Sequence, residues 1–256
     1  MELDLSAKVV LVTGGSDGLG RATVERLASE GAHVIACARR SDHLNASVDE
    51  MIKATGGKIT AVTMDVTRDG DCKRAVETAV EQYGRLDALI NNAGTSAAHS
   101  FESLTDQQWH DDIELKLMGA VRMCRYALPH LRDAGGGSII NATIGGAKAP
   151  VAGALPTSVT RAAGLNLTKS LANEYAASNI RVNSICIGYI KSAQWVRRAA
   201  DGSLDELYAG LSSRVPLGRV GEASDYADLV AFLCSERATY ITGTAINLDG
   251  GMCPVV

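Results

Sequence analysis

The stretch KVVLVTGGSDGLG, residues 8–20, decides the fold. Lys8 to Thr13 is an apolar run that is typical of a buried strand, and the residues after Gly20 follow a helical pattern that ends at Gly31. Glycines in a strand-to-helix turn let backbone N–H groups approach a pyrophosphate, and the helix N-terminus adds favourable partial charge. The turn therefore predicts a dinucleotide phosphate site. Its candidate residues are Gly14, Ser16, Asp17, Gly18, Leu19 and Gly20.

Outward from this turn, further strand candidates alternate with helical patterns. The strand candidates are HVIACA, KITAVTMDV, ALINNAG, SIINAT, IRVNSICIG and TAINLDGG. Apolar strands separated by helices imply a parallel sheet that is covered on both faces. Right-handed crossovers then give a doubly wound Rossmann sheet of the α/β class. Because no linker or repeat divides the chain, we expect one domain over residues 1–256.

Residues 189–218 are the most irregular stretch of the chain and contain the sequence DGSLDELYAG. Long irregular segments often close over a binding site, so this stretch is predicted to be a mobile lid. The alternative is an ordinary helical excursion on the surface.

Charge and cysteine content argue against several classes of function. The formal net charge is -4, so we expect neither a nucleic-acid nor a membrane partner. The six cysteines form no CxxC pair and have no zinc-ligand spacing with a histidine, which predicts free thiols and no metal site. The opening sequence MELDLSAK has no apolar signal region, and no apolar run approaches the ~20 residues that cross a bilayer. We therefore expect a cytoplasmic location.

Several motifs follow one another in the order of a known family. The turn has the spacing TGxxxGxG, residues 91–94 read NNAG, and residues 249–251 read DGG. Residues 187–190, IGYI, are similar to a PG motif in which Ile187 replaces the proline. Over essentially the whole chain, the sequence resembles the short-chain dehydrogenase/reductase family.

This resemblance implies a nicotinamide cofactor, a small-molecule substrate and assembly into a homotetramer or homodimer. It also implies further contacts with the cofactor beyond the glycine-rich turn. These are expected at Asp65, Val66, Asn91, Ala93, Gly94, Gly188, Ile190 and Ser192.

The end of the second strand favours NADP over NAD. Enzymes that use NAD usually place an acid there to hold the ribose 2′-hydroxyl. Here that position is Ala38, a small residue that leaves room for a 2′-phosphate. Arg39 and Arg40 follow it and can pair with the phosphate. Asp17 would repel that phosphate unless its side chain points away, so NAD remains the alternative.

All four residue types that carry the family's chemistry are absent. The family uses a tyrosine as general acid or base, a lysine four residues later, a serine about thirteen residues earlier and an asparagine on the preceding helix. The tyrosine position is Thr157, the lysine position is Arg161 and the asparagine position is Lys116. The serine position is Ile144, with Thr143 beside it.

We predict a rebuilt proton-transfer site formed by Lys116, Thr143, Thr157 and Arg161. Arg161 keeps its charge and can donate to the cofactor ribose. A lysine near it would have a depressed pKa, so Lys116, free to move toward the substrate carbonyl, could donate a proton near neutral pH. The two threonine hydroxyls would orient that carbonyl. The alternative is that Lys116 pairs with an acidic neighbour of Glu114 or extends to solvent.

The predicted function is a NAD(P)-dependent oxidoreductase that acts on a carbonyl or alcohol substrate. Function must be argued from the site rather than from the fold, and this site is unusual. Two alternatives therefore stand beside it. One is a catalytically silent nicotinamide-binding protein, such as a sensor or subunit partner, and the other is a non-redox lyase or isomerase that keeps the cofactor.

Overall fold

A seven-stranded parallel sheet forms the centre of this computed structural model, which describes residues 2–192, 195 and 203–255. The strand order is β3-β2-β1-β4-β6-β8-β9, and a separate antiparallel pair joins β5 to β7. The strands are β1 (Val9–Thr13), β2 (His33–Ala38), β3 (Lys58–Thr63), β4 (Ala88–Asn91), β5 (Ala98–His99), β6 (Gly137–Ile144), β7 (Leu155–Pro156), β8 (Ile180–Ile187) and β9 (Ala245–Leu248).

Eight α-helices are found in the described part of the chain. They are α1 (Gly18–Ser29), α2 (Ser41–Thr55), α3 (Asp69–Tyr83), α4 (Asp106–Ile113), α5 (Gly119–Asp133), α6 (Thr157–Tyr175), α7 (Leu204–Ser212) and α8 (Ala223–Cys234). A π-helical turn, Glu114–Met118, links α4 to α5.

Two apolar layers cover the sheet, one on each face. Val10 and Val12 pack in the layer that includes α1, α2 and α8, whereas Val9 and Leu11 pack in the layer that includes α3, α5 and α6. All five residues of β1 are buried because successive side chains point to opposite covered faces. The predicted doubly wound α/β fold is therefore confirmed.

The strand order reverses at β1, whose neighbours are β2 on one side and β4 on the other. Ligands of open α/β sheets bind at such a switch point, outside the carboxyl ends of the strands. The glycine-rich turn lies there between β1 and α1. A Cβ on Gly20 would lie 2.0 Å from the Gly14 carbonyl oxygen, so the turn closes only without a side chain at that position.

Part of the predicted lid, residues 193, 194 and 196–202, lies outside the described residues. On either side of it, Ile190 forms a parallel bridge with Gly221, and α7 occupies the region that follows. Closure of a lid stays a prediction.

No helix within the described ranges is long and apolar enough to cross a membrane. The same residues contain no cluster of three histidine, cysteine, aspartate or glutamate side chains that could hold a metal ion.

Candidate active site

A cavity of about 1060 Å³ opens at the carboxyl ends of the central strands. This volume is at the upper end of the ~300–1,000 Å³ that is usual for small-molecule sites. Most of the residues predicted to contact a cofactor line this cleft. They are Gly14, Ser16, Asp17, Gly18, Leu19, Gly20, Arg39, Val66, Ala93, Gly94, Arg161, Gly188, Ile190 and Ser192.

The shape and chemistry of the cleft fit a dinucleotide. The first N–H groups of α1 have no partner within the helix and are available to a phosphate group. A side chain on Gly94 would lie 2.3 Å from Nη2 of Arg161, so bare backbone is required there too. The Nε atom of Arg161 is buried and lacks a hydrogen-bond partner among the described residues.

Two predicted cofactor contacts do not line the cleft. The Asp65 carboxylate instead accepts hydrogen bonds from the backbone N–H and the hydroxyl of Thr67, at 2.9 and 2.8 Å. Such a local turn is a common use of aspartate. The Asn91 amide donates to Asn141 Oδ1 at 2.9 Å in the interior of the sheet. Contact of these two residues with a cofactor stays a prediction.

Charged groups gather at the end of the cleft beside Ala38. Arg39 is exposed there, and no described residue forms an ion pair with it. The Asp17 carboxylate points toward Arg40 Nη2, at 2.9 Å, and toward His43 Nε2, at 2.8 Å. Its negative charge is therefore matched locally by cationic or polar partners.

The opposite end of the cleft contains the predicted chemistry. Lys116 lies on the π-helical turn, a feature that often occurs at functional sites. Its side chain is completely buried, and its ammonium donates to Thr157 Oγ1 at 2.6 Å and pairs with the Asp112 carboxylate. The expectation that Lys116 is free to move toward a substrate is therefore wrong. Two short contacts hold its nitrogen behind Thr157.

Thr157 contacts Lys116 and also lines the cleft. It begins α6 and lines the large cavity, whereas Lys116 does not. Its hydroxyl donates to the Ala97 carbonyl oxygen at 2.6 Å and accepts from the Ala97 N–H at 3.1 Å. Since Lys116 also donates to it, the hydroxyl uses all of its hydrogen-bonding capacity and has a defined position.

Asp112 and Thr160 complete this cluster, and sequence reasoning did not single out either residue. Asp112 is 5% exposed, and its second carboxylate oxygen accepts from the Thr160 hydroxyl at 2.6 Å. The available signal was the spacing of four residues between Asp112 and Lys116, which brings two side chains together on a helix. The alternative that Lys116 pairs with an acidic neighbour of Glu114 is thus confirmed, but the pair is buried beside the cleft.

Burial lowers the pKa of Lys116 to about 8. The ion pair with Asp112 opposes this shift, and the nearby Arg161 charge adds to it. The direction agrees with the prediction, although loss of solvent rather than like charge is the main cause. A lysine with such a pKa can donate a proton as the ammonium, or accept one as the neutral amine, near neutral pH.

The contact of Thr143 with a substrate carbonyl stays a prediction, and Thr143 lines a small pocket together with Lys116 and Arg161. Its hydroxyl donates to the Ile185 carbonyl oxygen at 3.2 Å and contacts Cys186 Sγ at 3.3 Å, both on β8. Side chains alternate along a strand, so Ala142 and Ile144 line the large cleft, whereas Thr143 lines only the small pocket. The apolar Ile144 side chain therefore stands on the cleft wall.

Arg161 projects from the first turns of α6 into the same region. Its Nη1 donates to the Ala142 carbonyl oxygen at 2.6 Å, and burial lowers its pKa. An arginine nevertheless stays protonated in proteins, so the site keeps this positive charge. Its contact with a cofactor ribose remains a prediction.

Comparisons with known proteins agree in fold and family. A family model described as enoyl-(acyl carrier protein) reductase matches residues 14–253. The chain is 38% identical over 252 residues to the A-factor type gamma-butyrolactone 1'-reductase (1S-forming) of Streptomyces virginiae, and the match covers 96% of each protein.

Two solved structures are close to this one over nearly their full length. L-sorbose reductase from Gluconobacter frateurii, complexed with NADPH and L-sorbose, has a TM-score of 0.96 and 34% identity, with 100% of each chain covered. An NADPH-bound short-chain oxidoreductase from Pseudomonas aeruginosa PAO1, described as containing an atypical catalytic center, has a TM-score of 0.92 and 33% identity. That match covers 97% of this chain and 98% of the other.

Proposed function

The chain belongs to the short-chain dehydrogenase/reductase family and is an oxidoreductase of the NAD(P)-dependent type. We propose that it interconverts a small carbonyl compound and the corresponding alcohol, that it prefers NADP(H) to NAD(H), and that Lys116 exchanges the proton through Thr157. The observation that carries the last point is the 2.6 Å hydrogen bond between the Lys116 ammonium and the Thr157 hydroxyl at the cleft wall.

The residues along the cleft have separate tasks in this proposal. The glycine-rich turn and the N-terminus of α1 hold the pyrophosphate, and Arg39 faces the 2′-phosphate. Arg161 donates to the nicotinamide ribose. The chemistry that a bound nicotinamide supplies is hydride transfer at the substrate carbon. The protein positions the substrate and exchanges one proton with its oxygen.

The proton passes through two side chains. In the direction of reduction, the Thr157 hydroxyl donates its proton to the substrate oxygen and takes one from the Lys116 ammonium. One proton thus moves from Lys116 to the product hydroxyl, and Thr157 ends as it began. To donate to the substrate oxygen, the Thr157 hydroxyl exchanges its hydrogen bond to the Ala97 carbonyl oxygen for one to the substrate. Oxidation follows the reverse path, with neutral Lys116 as the base.

Asp112 holds Lys116 in place in this scheme. A threonine hydroxyl is too weak an acid to replace a phenol unaided, because its pKa lies far above that of tyrosine. The adjacent ammonium removes this difficulty, since the hydroxyl only relays a proton. The cost of burying Lys116 is offset by Asp112, whose other oxygen is satisfied by Thr160.

The test is turnover on a panel of aldehydes, ketones and secondary alcohols, followed by the absorbance of the reduced nicotinamide. On the best substrate of the panel, Thr157→Val should lower kcat by about 10²–10⁴-fold, the usual contribution of a positioned proton-transfer group. Thr157→Ser keeps the hydroxyl and should retain most of the activity. Affinity for NADPH should change little in either variant.

Two results would contradict the proposal. Full activity of Thr157→Val would remove the relay. Tight binding of NADPH without turnover on any member of the panel would favour a catalytically silent cofactor-binding protein.

A further inference from the structure

Asp17 occupies the N-cap position of α1 but does not cap the helix. Aspartate at this position usually accepts a hydrogen bond from one of the first helical N–H groups. Here the side chain makes no such bond. Its two carboxylate oxygens instead face Arg40 Nη2, at 2.9 Å, and His43 Nε2, at 2.8 Å, while the Ser16 hydroxyl donates to it at 3.4 Å. The Asp17 carboxylate therefore binds side chains outside α1 instead of the first N–H groups of that helix.

Asp17 and its partner Arg40 lie where the cofactor's 2′ substituent is recognised. In Rossmann proteins this group stands at the end of the second strand, here Ala38. Ser16, Asp17, Arg39 and Arg40 line the cleft beside it. A phosphate prefers the same hydrogen-bond donors that now surround the Asp17 carboxylate.

We propose that Asp17 is a specificity-determining residue that acts as an internal substitute for the 2′-phosphate. Its carboxylate holds Arg40 and His43 until NADP(H) binds, and the phosphate must then compete for these partners against a nearby like charge. NAD(H) lacks the phosphate and meets no such competition. Asp17 therefore weakens the binding of NADP(H) and not that of NAD(H). It reduces the preference for NADP(H) over NAD(H) that Arg39 creates. This inference rests on the proposed binding of NADP(H).

Removal of the charge should strengthen NADP(H) binding. The test is a fluorescence titration of the full-length protein with NADPH and with NADH. For Asp17→Asn, we expect the Kd for NADPH to fall by about threefold to fivefold, because Asp17 is 38% exposed and its ion pairs are screened by solvent. The Kd for NADH should stay within about twofold, as expected for an effect on the phosphate alone. Asp17→Ala should act in the same direction.

Two controls separate this effect from a general change in charge. Asp42→Asn makes the same charge change on the first turn of α2, where Asp42 is exposed, and should leave both affinities nearly unchanged. In an Arg40→Ala/His43→Ala background, Asp17→Asn should no longer increase the ratio of NADPH to NADH affinity. Asp17 would then have lost the groups through which it acts.

Every other outcome would overturn the inference. If Asp17→Asn weakens NADH alone, the carboxylate binds a ribose hydroxyl. If both affinities fall together, Asp17 supports the turn itself. If neither changes, the ion pairs of Asp17 do not affect cofactor binding. The proposed cofactor preference fails separately, when the unmodified protein binds NADH more tightly than NADPH.

Discussion

At the scale of single residues, the buried pair of Lys116 and Asp112 is the unusual feature of this site. Neutral replacement of one partner leaves the other as an unpaired buried charge. We expect Asp112→Ala to lower the free energy of unfolding by about 3–5 kcal/mol, the usual cost of breaking a buried ion pair. The double variant Lys116→Met/Asp112→Leu should recover most of this loss. Equilibrium urea unfolding measures both values, and an Asp112→Ala protein as stable as the parent would contradict the description of this pair.

Arg39 provides a residue-scale prediction about the cofactor. Arg39→Ala removes a guanidinium that lines the cleft and forms no ion pair with any described residue. Affinity for NADPH should fall by about tenfold, as expected for loss of one charge-assisted hydrogen bond, whereas affinity for NADH should hardly change. Parallel titrations with the two cofactors measure the difference. Equal losses for both would assign Arg39 to the shared part of the cofactor or to the fold.

Some residues of the candidate active site could be predicted from the sequence, and others could not. Lys116, Thr157 and Arg161 were identified because each occupies a position defined by nearby motifs. For Thr143 the sequence did not show on which side of β6 the side chain lies, because a shift of one residue along a strand reverses the side-chain direction. The spacing of four residues was the local signal that places Asp112 beside Lys116. The contact of Thr160 with Asp112 depends on the packing of α4 against α6, and no local pattern in the chain reports that contact.

At the scale of elements, the glycine-rich turn shows why the fold was more predictable than the site. Its strand, turn and helix are consecutive in sequence, so local patterns determine them. The π-helical turn that presents Lys116 has no comparable signature. The absence of a side chain at Gly20, where α1 meets the cleft, also has a local cause. A Cβ there would overlap the nearby Gly14 carbonyl oxygen.

Gly20→Ala tests that turn. A Cβ at this position would overlap the Gly14 carbonyl oxygen, so the turn must open and its N–H groups must move. We expect binding of NADPH and NADH to be lost together. The matched control is Gly70→Ala on α3, where a Cβ would meet no atom within 4 Å. If Gly20→Ala binds either cofactor with unchanged affinity, the assignment of the phosphate site is wrong.

At the scale of the whole molecule, assembly remains a prediction. The segment from Ser158 to Ala176 alternates small and apolar residues and can pack against a symmetry mate. Val159, on the first turn of α6, is 51% exposed, which is high for an apolar side chain. We expect a homotetramer or homodimer by light scattering, and Val159→Glu should shift it toward smaller species. A stable monomer of the unmodified protein at micromolar concentration would exclude this assembly.

The proposed chemistry depends on whether Lys116 is protonated. Carbonyl reduction needs Lys116 protonated, and burial lowers its pKa to about 8, so kcat/KM for reduction should fall as the pH rises through about 8. Alcohol oxidation needs the neutral amine and should rise over the same interval. The deciding measurement is the pH profile of kcat/KM in both directions for the unmodified protein and for Lys116→Met/Asp112→Asn. We expect opposite inflections near pH 8 for the two directions in the unmodified protein, and strongly reduced rates without that inflection in the double variant. An unchanged inflection in the double variant would contradict the assignment of Lys116 as the proton donor.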